Sequence, residues 1–349
     1  MTISEIKDGE SVYGQFLVSD CKKGVTAKGD SYLTIVLQDY SGTVEGKKWT
    51  VGPDDLEIFA KGTVVQVSGV ANFYRNALQL KIEHGEPVVA AGIDWSRFVQ
   101  HAPVEKEVLT KKLNMYLKSF ADPDVRALTE AMLEKFKDRY FDWPAAAKNH
   151  HDYVSGLLYH SLTMADLAAK VCQIYPSLNR DIVIAGALLH DIGKCVELSG
   201  PNATSYTIEG KLLGHIAIGQ AELRQVAKKL GMYDYDDLPE EEKTPASPLW
   251  HKKELAIVFE HIILSHHGIP EYGSSVRPLT REAQAVSMID DMDAKMMILE
   301  KAYEPIECGE FTPKLFTMDD RYFYKPFYMK KESRPSGTSL EQEKEDLIK

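Results

Sequence analysis

The sequence predicts two unlike domains, a small all-β barrel followed by an all-α helical bundle. Three observations carry this. The first ~86 residues are short runs rich in β-branched and aromatic residues, broken by Gly, Asp and Ser turns. From Lys106 onward, apolar residues recur instead at three- and four-residue steps. The length, 349 residues, suits two domains of roughly 100–200 residues each.

In the first domain, Val12–Asp20 alternates in part, and Lys22–Asp30 (KKGVTAKGD) reads as a Gly/Lys turn. Ser31–Asp39 (SYLTIVLQD) is the clearest strand. Ser41-Gly42 is a turn signal, and Thr43–Val51 follows it. Thr63–Ala71 and Ala77–Ile82 complete about five strands, and Asp54–Ala60 interrupts them as a short helix. This pattern suits a closed barrel of the OB-fold kind. Another small barrel, or part of a β-sandwich, has a similar strand count.

Residues 87–105 hold two prolines without a clear period and read as linker and docking segment. Helical periodicity then marks Val108–Phe120, Pro123–Phe136, Val154–Tyr175, Arg180–Leu189, Leu212–Leu230, Glu254–Ser265 and Arg281–Tyr303. Tyr233–Ser247 is acidic and contains proline, so an exposed loop is expected there. The expected division is a barrel at 1–86, a linker at 87–105, the helical domain at 106–330 and a disordered tail at 331–349. The tail is charged and poor in apolar residues.

Composition narrows the function. Apolar residues make up 44% and charged residues 27%, enough for two ordinary cores. The net charge of −11 argues against non-specific coating of duplex nucleic acid. Cys21, Cys172, Cys195 and Cys308 are scattered without a CxxC pair, which argues against a disulfide scaffold or zinc-thiolate site. The N-terminus lacks the pattern of a signal peptide, and no apolar run approaches the ~18 residues of a membrane span. The expectation is a soluble cytoplasmic protein with no membrane partner.

Histidines carry the chemistry. His160 lies in LLYHSLTMADLA, His190-Asp191 in ALLHDIGK, His215 in GHIAIGQ and His266-His267 in ILSHHG, with Asp290, Asp291 and Asp293 in MIDDMDAKM. Each lies on or at the end of an apolar helical run. Burying such groups together costs several kcal/mol unless a partner such as a shared cation is present. Imidazole and carboxylate donors suit divalent ions: Mn²⁺ or Co²⁺ foremost, with Mg²⁺, Fe²⁺ and Zn²⁺ also compatible. Taken singly, each histidine reads as a hydrogen-bonded core residue.

The region from His160 to Asp293 resembles the HD-domain metal-dependent phosphohydrolases, named for the adjacent His-Asp pair. MIDDMDAKM resembles that family's closing Ala-Asp-x-Leu-Asp segment, with Ile289 in place of Ala. In that register Asp290 is the ligand and Asp291 the alternative. His215 and His266-His267 resemble the additional ligands of two-metal members. Barrel and helical domain together resemble the YhaM-type 3′-to-5′ exoribonucleases, over nearly the whole chain except the tail.

The resemblance implies two divalent ions that would neutralise a phosphodiester and activate a water for in-line attack. Asp191 would bridge them. His160, His190 and Asp290 would complete one site, and His215, His266 and His267 the other. Lys194, four residues after His190, would meet the scissile phosphate; the simpler alternative is a helix-end charge. Asp293 is either an orienting carboxylate or a surface one. His150 and His151 suit capping or substrate contact, His251 and His261 structural roles, and Cys195 packing.

In the barrel, candidate nucleic-acid contacts are Lys47, Lys48 and Trp49, and Tyr74 and Arg75 in a hairpin turn. Phe16 and Tyr32 are further candidate contacts, with barrel core as the simpler reading, and Lys22, Lys23 and Lys28 are further candidate bases. Residues 1–86 carry 9 basic and 12 acidic groups, so any basic groove is local. The leading expectation is a metal-dependent exoribonuclease of single-stranded RNA, with single-stranded DNA as a second polymer. The competing one is a phosphohydrolase of a small or cyclic nucleotide, with the barrel used for assembly. A non-catalytic scaffold is disfavoured by the intact ligand set. A homo-oligomer is compatible with either enzyme.

Overall fold

The structure, a computed structural model, describes residues 1–74, 77–89, 93–146 and 153–329. Arg75, His150, His151 and the 331–349 tail lie outside the described residues.

The first domain is a closed barrel of β1 (Ser11–Val25), β2 (Ser31–Asp39), β3 (Gly42–Lys48), β4 (Val64–Tyr74) and β5 (Ala77–Pro87), in the order β1-β2-β3-β5-β4. A short helix α1 (Asp55–Ile58) lies between β3 and β4. β1 closes the barrel because one long strand pairs with two neighbours. Ser11–Leu17 pairs with β4, Leu17–Val25 pairs with β2, and a register shift between Val18 and Asp20 separates most of the two ladders. β3 and β5 pair in parallel, and the other ladders are antiparallel. This is the five-stranded OB-fold. Alternation fills it: Leu33, Ile35 and Leu37 of β2 point inward with Phe16, Val67 and Leu80.

Three boundaries differ from the sequence reading. Lys22 and Lys23 lie within β1, and the turn begins at Thr26, whose carbonyl accepts from Gly29 N. β3 stops at Lys48, so Trp49 lies just beyond it. β5 runs on to Pro87 because its polar residues still pair, with Ser68 opposite His84.

The second domain is helical: α2 (Lys106–Ser119), α3 (Pro123–Lys135), α4 (Lys137–Tyr140), α5 (Gly156–Ile174), α6 (Arg180–Leu189), α7 (Lys194–Glu197), α8 (Ile208–Lys229), α9 (Pro248–Ser265) and α10 (Arg281–Tyr303). α5 and α6 form its centre, and α10 packs across α5, α6 and α9. α9 begins six residues before the apolar period does. Ser247 caps it through Leu249 N, and Pro248 occupies its first position. α8 likewise starts at Ile208, capped by Thr207, and is broken at Gly214, with φ 73° and ψ 156°.

A small apolar cluster joins the domains. Leu17 and Val64 of the barrel meet Phe98 and Val99 of the connecting segment, with Val154 and Ala203 of the helical domain against them. Tyr40 N donates to Arg97 O, Ala102 N to Val154 O, and Lys61 Nζ to Thr204 O. Among the described residues, no helix is long and apolar enough to cross a membrane.

Candidate metal centre and nucleic-acid face

The helices deliver the histidines and aspartates to one place. α5 carries His160 in its second turn. His190 ends α6, and Asp191 occupies the turn after it. Gly193 lets this turn touch the second half of α8, since a Cβ there would lie 2.0 Å from His215 O. His215 follows the break in α8, His266 ends α9, and α10 presents Asp290. Asp191, His215, His266 and His267 offer donor atoms within 4.8 Å of one another. So do His160, His190 and Asp191, and so do His190, His266 and Asp290, so the clusters meet rather than forming separate pockets.

Asp191 divides its oxygens between two groups. Oδ2 lies 3.1 Å from His190 Nε2 and 3.8 Å from His160 Nε2. Oδ1 lies 3.3 Å from His215 Nε2 and 3.6 Å from His266 Nε2. Asp290 Oδ1 completes the first group, 3.3 Å from His160 Nε2. Asp291, one residue round the helix, is exposed and paired with Lys295 at 2.7 Å. Asp293 is buried, and its Oδ2 accepts from His160 Nδ1 at 2.7 Å.

The ring protons are directed away from the centre. His190 Nδ1–H donates to Ala187 O, His266 Nδ1–H to Ile263 O, and His267 Nδ1–H to Tyr272 O. His215 Nδ1–H donates to Glu197 Oε1 at 3.1 Å. Each imidazole therefore turns its Nε2 lone pair toward the carboxylates. As a result Asp191 Oδ1, His215 Nε2 and His266 Nε2 are buried and have no hydrogen-bond partner. Unpaired acceptors facing one another underground are costly. A divalent cation among them satisfies all three, so this donor set fits the metal that the sequence implies.

Electrostatics agree. Burial pushes the Asp191 carboxyl up, but Lys194 and His190 outweigh it and hold the group ionised, well below the usual range. Asp290 is lowered against its own burial by His160 and His190. Burial pushes His266 down, and burial with His266 beside it pushes His267 down to about 4, so both are neutral donors near pH 7. Burial also opposes the charged form of His160, but Asp290 and Asp293 hold it up at about 9 without a cation.

Lys194 opens α7, is 8% exposed, and places Nζ 2.6 Å from Asp191 Oδ2. It is tied to the carboxylate between the clusters rather than standing at an exposed helix end. Cys195 is fully buried, and burial pushes its thiol up. His261 accepts from Leu279 N, and exposed His251 lies 3.5 Å from Asp122. Sequence reasoning missed Glu197; its separation from His215 by eighteen residues leaves no local periodicity to reveal it.

On the barrel, adjacent Lys47 and Lys48 point to opposite faces. Lys47 Nζ lies 5.5 Å from the Tyr32 ring centroid and 2.6 Å from Thr34 Oγ1. Trp49, 51% exposed, stands 5.2 Å from Tyr32, ring centroid to ring centroid. Lys48, expected at the nucleic-acid face, is instead buried: its Nζ donates to Glu83 O and lies 3.6 Å from Asp55. Phe16 is core, but Tyr32 is only partly buried and joins the outer face. Tyr74 is exposed at the β4–β5 hairpin. It pairs with Ala77, whereas Lys47 pairs with Lys81, so it stands apart by about 13 Å of strand.

The comparisons with known proteins follow the same division. The HD domain family matches residues 157–295, and the family described as an OB-fold nucleic acid binding domain matches residues 17–88. A third family, TraI_2, overlaps at residues 104–199. The chain is 38% identical over 325 residues to 3′-5′ exoribonuclease YhaM of Geobacillus sp. (strain WCH70), covering 92% of this chain and 93% of that one. It is 38% identical over 321 residues to 3′-5′ exoribonuclease YhaM of Bacillus velezensis, covering 92% and 96%. The HD match and these relatives mark a metal-dependent hydrolytic enzyme. Because the likeness runs through both the barrel and the ligand-bearing helices, the chain belongs to the YhaM 3′-5′ exoribonuclease family.

Proposed function

We propose that this protein removes nucleotides from the 3′ end of single-stranded RNA, with single-stranded DNA as a second polymer, at a centre holding two divalent ions. One observation carries the reading: Asp191 turns Oδ1 and Oδ2 to different sets of imidazole Nε2 atoms. His160, His190 and Asp290 would hold one ion with Oδ2, and His215, His266 and His267 the other with Oδ1. Mn²⁺ or Co²⁺ suits these mixed nitrogen and oxygen donors. Bound there, such ions supply charge neutralisation at the phosphodiester and lower the pKa of a water.

The chain's own groups do the rest. The Nδ1–H bonds hold each ring in its orientation, so the donors need no rearrangement on binding. Lys194 keeps a cation beside Asp191, placed to offset charge that develops on the phosphate. Tyr32 and Trp49 offer faces on which bases of any sequence can stack, and Lys47 meets the backbone beside them.

The test uses 5′-labelled single-stranded RNA and DNA, and free nucleotides, incubated with the protein and Mn²⁺ and resolved by length. A ladder shortening progressively from the 3′ end supports the proposal. Hydrolysis of free nucleotides with polymers left intact replaces it with the small-nucleotide reading.

A further inference from the structure

We infer that Glu197 is the positioning residue for His215, and that it governs binding at the His215–His266–His267 cluster separately from the His160–His190–Asp290 cluster. The inference rests on the two-position centre proposed above.

Glu197 ends α7 and is 7% exposed. Its Oε1 accepts twice from one residue, from His215 N at 3.0 Å and from His215 Nδ1 at 3.1 Å. The reason lies in α8. Gly214 leaves helical geometry, so the His215 N–H starts a new helical segment and needs an acceptor from outside it. Glu197 supplies that acceptor and fixes the imidazole with the same oxygen.

The backbone that carries this carboxylate is itself held in place. Glu197 O accepts from Thr207 N and Thr207 Oγ1 at 2.9 and 3.2 Å. α8 packs directly on it, since a Cβ on Gly210 would lie 2.3 Å from Glu197 O.

The other rings are held differently. His190, His266 and His267 use backbone carbonyls of their own segments. Only His160 and His215 rely on side-chain carboxylates, Asp293 and Glu197, and these serve different clusters. Substitution can therefore loosen one cluster at a time.

The experiment titrates Co²⁺ into metal-free full-length protein, following visible absorbance and bound metal by equilibrium dialysis. Wild type is compared with Glu197→Ala, Glu197→Gln and Asp293→Ala. Glu197→Ala should weaken one of two ions by roughly 10–100-fold, the usual effect of losing such a partner, and leave the other within threefold. Glu197→Gln keeps an acceptor oxygen and should fall between wild type and Ala. Asp293→Ala should weaken the other ion.

Equal weakening of both ions in Glu197→Ala, or of neither, overturns the inference. If Ala does not fold, the near-isosteric Gln carries the test, and equal weakening of both ions or no weakening overturns it. A single ion in wild type removes both the inference and the two-position reading beneath it. Selective loss of one ion, in a protein whose wild type leaves RNA intact, upholds the inference and defeats the exoribonuclease reading.

Discussion

Asp191 Oδ1 and His215 Nε2 lie 3.3 Å apart, and neither has a hydrogen-bond partner. The His215 ring proton is on the other nitrogen, facing Glu197, so two lone pairs confront each other in a buried place. A folded chain tolerates that arrangement when a cation joins the pair. The same oxygen faces His266 Nε2, while Oδ2 faces His190 and is held by Lys194. One side chain thus organises the whole centre.

Asp191→Ala should therefore remove metal and activity together. Elemental analysis after dialysis should find both positions depleted, and RNA shortening should stop. A well-folded variant with normal metal content and rate would disprove the bridging assignment.

Lys194→Met should separate chemistry from metal binding. Losing one placed electrostatic donor lowers kcat by roughly 10²–10³. Metal affinity should not fall, because the substitution removes a cation that competes for Asp191 Oδ2. Single-turnover rates and metal titration on the same preparation decide this, and an unaltered rate would leave Lys194 only a structural partner of Asp191.

Lys47 and Lys48 should behave oppositely despite being neighbours. Lys47→Ala should flatten the salt dependence of RNA binding by about one phosphate contact, with little change in stability. Lys48→Ala should leave that slope unchanged and lower the unfolding midpoint, because Asp55 then loses its buried cation. Binding isotherms over a salt series, with denaturation of both variants, make the comparison.

Trp49→Ala should weaken single-stranded RNA binding several-fold to a hundred-fold, since stacking is worth roughly 1–3 kcal/mol per base. The loss should be similar for different sequences. Fluorescence anisotropy with unrelated oligomers measures it, and undiminished affinity would remove the Tyr32–Trp49 pair from the binding face.

Gly193→Ala should disturb the centre without touching a ligand. The added Cβ would meet the carbonyl of His215, a backbone atom that cannot rotate away. Overpacking of this kind costs about 1–3 kcal/mol. Thermal unfolding should register the loss, and Co²⁺ titration should show the His215 cluster more weakened than the other.

The sequence by itself determined the two domain types and singled out histidines and aspartates that the fold brings together. Period-two apolar runs specify strands, and period-three-to-four runs specify helices, because each reports which side of a local element meets the core. The candidate ligands were legible because His-Asp, His-His and single histidines stand on or at the ends of such runs, and their side-chain chemistry is carried by type alone. Only the tertiary structure decided the rest. Asp290 faces His160 while Asp291 faces solvent, a matter of helix rotation fixed by packing against α5 and α6. Lys48 turns inward because the β2–β3 register sets it opposite buried Leu33, on the core-facing side of the strand. Asp293 meets His160 across 133 residues of sequence, and Glu197 meets His215 because a break at Gly214 leaves a backbone N–H to satisfy. Such pairings are consequences of how the helices pack, and short-range periodicity holds no record of which distant carboxylate will lie beside which ring.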